Sequence, residues 1–116
     1  MESQLSVYGI DPAKIEFNVQ PTNDAWCRDH GPAFLVKEGS AERLVVNWEY
    51  NAWGGKYPPF LDDNALPATI AKRLSLPSAT PGIIMEGGSV DFNGAGTVLT
   101  SRSCLFNPNR NTHLKQ

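Results

Sequence analysis

The apolar pattern of the chain changes period at Leu61, and that change constrains its class more than any other feature. Leu61, Ala65, Ile70, Ala71 and Leu74 fall on one face at helical spacing, which predicts a helix over residues 61–74. Asp62 and Asp63 suit its positive N-terminal end and Lys72 and Arg73 its C-terminal end. Pro67 is awkward inside it unless an early turn restarts there. On either side the pattern is that of strands. Residues 15–20 alternate apolar and polar side chains up to Pro21, residues 33–37 and 43–48 flank Glu38-Gly39-Ser40 as a hairpin, and residues 83–86 and 89–92 read as strand pieces around Gly87-Gly88. Asn93-Gly94 then marks a tight turn and residues 96–101 a returning strand. Hairpins replace a regular alternation of single strands and helices, so the predicted class is α+β and not a doubly wound sheet.

A length of 116 residues with 41% hydrophobic content predicts one domain over 1–116 with a modest core. A formal charge of −2 leaves no basic field to recruit nucleic acid. No apolar run reaches membrane-spanning length, and the opening residues lack the basic start and apolar core of a secretion signal. The expectation is a cytoplasmic protein with no membrane partner, in which Cys27 and Cys104 are reduced.

Three segments carry more aromatic and charged residues than turns require: Asn23-Asp24-Ala25-Trp26-Cys27-Arg28-Asp29-His30-Gly31-Pro32, Asn51-Ala52-Trp53-Gly54-Gly55-Lys56, and Met85-Glu86-Gly87-Gly88-Ser89. All sit at strand ends or in loops, where a rigid sheet presents binding groups. Asp29 and Glu86 would clamp a planar cation by charge-assisted hydrogen bonds, with Trp26 or Trp53 stacked on its face. The competing reading is structural: Arg28 and Asp29 form an ion pair, Glu86 caps a loop, and the tryptophans belong to the core. Spacing alone leaves both open. Gly87-Gly88 lacks the lysine and hydroxyl of a phosphate loop. A zinc site from Cys27, His30, Cys104 and His113 is disfavoured by the eight residues between the second pair, and a Cys27–His113 hydrolase dyad has no context that joins its members.

These strings, taken in order with Leu105-Phe106-Asn107-Pro108-Asn109-Arg110-Asn111, resemble the agmatine deiminase and Porphyromonas-type peptidyl-arginine deiminase family. The resemblance implies a pentein fold, a closed propeller of five ββαβ units, of which this chain would supply about two as the N-terminal portion of a longer domain. No cofactor and no metal are expected. The resemblance also implies that Asp29 holds the substrate guanidinium and that Glu86 partners a histidine in proton transfer; Trp26, Arg28 and Trp53 are secondary candidates for shaping the pocket. In that chemistry a thiolate adds to the guanidinium carbon, ammonia leaves and water resolves the intermediate. The family's later Gly-His-x-Asp and cysteine segments have no counterpart before Gln116, so Cys27, Cys104, His30 and His113 are read as structural. The expectation is a deiminase chain inactive by itself, its substrate agmatine or, less favoured, peptidyl-arginine. The alternative is a non-catalytic binding or assembly module that self-associates through open sheet edges.

Overall fold

In the computed structural model, which describes residues 2–115, two small sheets pack with short helices in an α+β arrangement. Helix α1 (Glu2–Val7) and a 3₁₀ turn (Pro12–Lys14) lead in. Residues 15–20 form no ladder, contrary to the strand their alternation predicts. Alternation makes a strand only where a neighbour supplies backbone partners. Here Val19 is 97% exposed, and the segment is tied instead by the Glu16 carboxylate to the guanidinium of Arg73.

After the single turn of α2 (Cys27–His30), strands β1 (Ala33–Val36) and β2 (Arg43–Val46) pair antiparallel, with Ala33 opposite Val46 and Val36 opposite Arg43. This is the predicted hairpin. Val45 and Val46 are buried, so β2 is the central strand. Helix α3 (Leu61–Arg73) then crosses over to β3 (Ser78–Ala79), which lies parallel to β2 on its other side. The bonds continue past β3. Glu49 N–H donates to the Ile83 carbonyl at 3.0 Å and Met85 N–H to the Glu49 carbonyl at 3.1 Å. Two parallel runs therefore end side by side, one at Tyr50 and the other at Glu86, which is the sheet end where α/β folds commonly place ligands.

Helix α3 is where it is predicted, with its acids in the first turn and its bases in the last, and Pro67 sits within it. Its buried face differs from the expected one. Leu61 is 72% exposed and Leu74 51%, while Asp63, Pro67 and Ala71, at spacing i, i+4, i+8, are buried. An apolar moment cannot reveal this stripe because one member is an acid with a structural task. Asp63 Oδ1 accepts the backbone N–H groups of Asn23 and Asp24 at 2.7 and 3.3 Å, and Asn64 Oδ1 accepts that of Tyr50 at 2.7 Å. The first turn of α3 thus holds two of the polar loops.

A 3₁₀ turn (Gly87–Ser89) precedes the antiparallel ribbon β4 (Val90–Phe92) and β5 (Val98–Thr100). Its turn is built on Asn93, whose Oδ1 accepts from Ala95 and Thr97. Helix α4 (Arg102–Leu105) and a run of asparagines complete the described chain. No helix among the described residues is long and apolar enough to cross a membrane.

Asn111, only 2% exposed, ties this last segment to the first sheet. Its amide accepts from Ile84 N–H at 2.8 Å and donates to the carbonyls of Ile84 and Leu105 at 2.8 and 2.9 Å. Asn111→Ala would leave these backbone groups without partners, and a loss of at least about 2 kcal/mol in urea unfolding is expected. A change within error would show that the clamp is dispensable.

Candidate functional site

Asp29 is the point at which the three polar loops meet. One carboxylate oxygen accepts the Gly88 N–H at 2.9 Å and the other accepts the Trp53 indole N–H at 3.2 Å. The contact with the Gly87-Gly88 loop requires glycine twice. A Cβ on Gly87 would lie 2.2 Å from the Arg28 carbonyl oxygen, and one on Gly88 2.4 Å from Asp29 Oδ1. The glycine pair therefore serves a close approach of backbone to backbone and carboxylate. Arg28 contributes that carbonyl, whereas its side chain is exposed and outside the cavity described below.

Trp53 reaches Asp29 from an unusual turn. Ala52, Trp53, Gly54 and Gly55 all have positive φ, at 52°, 57°, 85° and 79°. The turn is left-handed, closed by Gly55 N–H to the Asn51 carbonyl at 2.7 Å and by Gly54 N–H to Asn51 Oδ1 at 2.9 Å. For alanine and tryptophan this conformation costs roughly 1–2 kcal/mol per residue. Strain of this kind persists only where surrounding contacts overdetermine it. Here the indole bond to Asp29 does so, together with edge-on packing of Trp53 against Tyr50 at 5.5 Å and Tyr57 at 5.7 Å. The glycines and prolines of this segment announce a loop, but the sign of φ is not legible in them.

Glu86 is 3% exposed and is engaged within the chain: Arg110 Nε donates to its Oε1 at 2.6 Å. Arg110 also lines an open cavity of about 420 Å³ with Asp24, Trp26, Trp53, Lys56 and Tyr57. Trp26 and Trp53, both expected to shape a pocket, are thus on one cavity. Asp29 and Glu86 do not line it, but each is bonded to a residue that does, Asp29 to Trp53 and Glu86 to Arg110. Arg110, Asp24, Lys56 and Tyr57 were assigned no role by sequence, although each lies in or beside one of the quoted strings.

Beneath the cavity Tyr50 is 2% exposed and packs against His30, ring centroids 5.5 Å apart. Burial first, and then the carboxylates of Asp63, Asp29, Asp24 and Glu86, push the Tyr50 phenol above the ordinary tyrosine range. These four acids, two from the first polar loop, one from the third and one from α3, act together on one hydroxyl. His30 is buried as well, with Nε2 3.7 Å from Asp63 Oδ1, too far for a hydrogen bond. It belongs to the core under the site, as its structural reading expects. Cys27 and Cys104 are free thiols, and among the described residues no group of three or more His, Cys, Asp or Glu side chains could hold a metal.

The chain's α+β fold and its polar loops are similar to those of agmatine deiminases over nearly the whole of its length. It belongs to the Porphyromonas-type peptidyl-arginine deiminase family, whose model matches residues 1–116. The agmatine deiminase of Pseudomonas savastanoi pv. phaseolicola is 41% identical over 110 residues, covering 90% of this chain and 30% of that protein. Among solved structures, the agmatine deiminase of Enterococcus faecalis superposes with a TM-score of 0.81 at 33% identity, over 99% of this chain and 32% of that one. A substrate-bound agmatine deiminase of C. jejuni gives 0.77 at 37% identity, over 100% and 34%. The chain spans about 30% of the length of the curated relatives it matches.

Two outcomes test this packing. Gly87→Ala must displace the Arg28 backbone, and a cost of about 1–3 kcal/mol is expected in urea unfolding; a silent substitution would mean that the loops are not in contact. For Tyr50, whose folded-state pKa is raised, the stability contribution is complete below about pH 10, the unfolded value, and is lost as pH rises further, because the unfolded chain releases the phenol proton first. Tyr50→Phe is expected to lose less stability than the wild type between about pH 9 and 11. Parallel alkaline curves would contradict the raised value.

Proposed function

We propose that this chain supplies the guanidinium-holding wall of an agmatine deiminase, with Asp29 and Glu86 as the acids that face the reacting group and Trp26 and Trp53 as its aromatic walls. The carrying observation is the Asp29 carboxylate, fixed by the Gly88 N–H and by the indole N–H of Trp53, which lines the aromatic cavity. A carboxylate so oriented meets a flat, delocalised cation at little cost in reorganisation, and indole faces favour the same cation by their quadrupole. In the complete reaction a thiolate would attack the guanidinium carbon, ammonia would depart, and water would release N-carbamoylputrescine and regenerate the thiolate. Asp29 and Glu86 hold and orient the cation through those steps. Cys27 and Cys104 are not the nucleophile in this reading, and residues 1–116 bind without turnover. Agmatine is preferred to peptidyl-arginine because the curated relatives near 40% identity are agmatine deiminases.

The order β1, β2, α3, β3 supports reading this region as one ββαβ unit of a five-unit propeller, with β4 and β5 opening a second. A cytoplasmic setting suits the two free thiols. A second reading, self-association, rests on the β1 edge of the first sheet, where Leu35 and Val36 are 59% and 66% exposed. Sedimentation velocity decides it, since a monomer at high concentration would exclude the assembly reading.

Calorimetric titration with agmatine is expected to show saturable binding that Asp29→Ala weakens at least about tenfold, the scale of one hydrogen bond to a charged group. Equal affinity in the variant would remove Asp29 from the site. An arginyl peptide bound more tightly than agmatine would reverse the substrate preference, and ammonia release by the chain alone would refute binding without turnover.

A further inference from the structure

The ion pair between Glu86 and Arg110 is buried beside the cavity, with side chains 3% and 7% exposed. Removing two charges from water costs several kcal/mol per ion, and such pairs are often no more stabilising than apolar residues of the same size. Its presence therefore calls for a role other than holding the fold.

The segment that carries Arg110 is fixed from several sides. Asn107 Oδ1 accepts from Asn109 N–H at 2.8 Å, and the Asn109 carbonyl accepts from the Asn51 side-chain amide at 2.8 Å. Gly54 lies so close that a Cβ there would be 3.1 Å from Asn109 Cβ and 3.7 Å from an Arg110 guanidinium nitrogen. Asn111, one residue beyond Arg110, holds Ile84, two residues before Glu86, by both backbone groups. Acid and arginine are thus carried on the two sides of one clamp, so their relative position is set by backbone and not by side-chain flexibility.

The hydrogen bond occupies Oε1, and among the described residues nothing donates to Oε2. We infer that Arg110 is a positioning residue: its Nε fixes the Glu86 carboxylate in one rotamer, leaving Oε2 to receive the guanidinium of a substrate in the cavity that Arg110 itself lines. This rests on the proposed role of Glu86 and adds to it the group that sets its orientation. A compact ammonium lacks the fork geometry of guanidinium, so lysine would restore charge without restoring the full geometry.

The test is a double-mutant cycle on agmatine affinity, by calorimetry, with Arg110→Met, Glu86→Gln, the double variant, and Arg110→Lys, folding being checked by circular dichroism. Each single variant is expected to lose about tenfold in affinity, the double variant no more than either single, and Arg110→Lys to recover part of the loss. Losses that multiply in the double variant, or unchanged affinity in Arg110→Met beside a weakened Glu86→Gln, would overturn the inference. Unfolding of the same four proteins in urea reads the pair without ligand. If Glu86→Gln leaves agmatine affinity intact, the substrate role of Glu86 fails, while non-additive stabilities would still uphold Arg110 as the group that holds its carboxylate. Additive stabilities would overturn the inference whatever the binding data show.

Discussion

The arrangement of the site depends on the Asp29 carboxylate receiving two N–H groups from two distant segments. Gly88 and Trp53 lie 59 and 24 residues away in sequence, and among the described residues no hydrogen bond joins their two loops directly. Hydrogen bonds to an ionised carboxylate are among the stronger ones a protein makes, and two at once define a direction as well as a distance. The glycine pair and the left-handed turn follow from this. Gly87 and Gly88 allow the approach from one side, and the strained Ala52–Gly55 turn delivers the indole from the other.

The same economy governs what lies under the site. Asp63 is buried in a helix that a simple amphipathic rule would line with leucine, because its carboxylate caps the loop carrying Asp24. Tyr50 separates His30 from Trp53 and is ringed by acids, which is tolerable only while the phenol keeps its proton. Stability has been given up at the strained turn and in the buried charges, and a cavity with fixed polar walls is what remains at that place.

Much of this was legible in the sequence, for identifiable reasons. The β1–β2 hairpin, α3 and the β4–β5 ribbon follow from periodicity and turn residues, which are local signals. The false strand over residues 15–20 shows the limit of the same signal, since Val19 alternates correctly and has no neighbour to pair with. Strand β3 was missed because two residues, Ser78 and Ala79, carry no period, and their pairing with β2 is parallel and distant. The three polar loops stood out by their tryptophans and adjacent charges. What joins them did not. The Glu86–Arg110 pair spans 24 residues, and nothing in either local string names the other. Arg28 illustrates the converse: its adjacency to Asp29 suggests an ion pair, whereas what the structure uses is its backbone carbonyl, against which the Gly87 backbone is packed.

The central claim concerns which tryptophans a guanidinium meets, and the chain carries its own control. With 15N-labelled tryptophan, the three indole N–H resonances can be followed while agmatine is added. Trp26 and Trp53 line the cavity, whereas Trp48 does not. The account expects the resonances of Trp26 and Trp53 to move together along one saturable curve while Trp48 stays in place. Three stationary resonances, or movement of Trp48 alone, would contradict it.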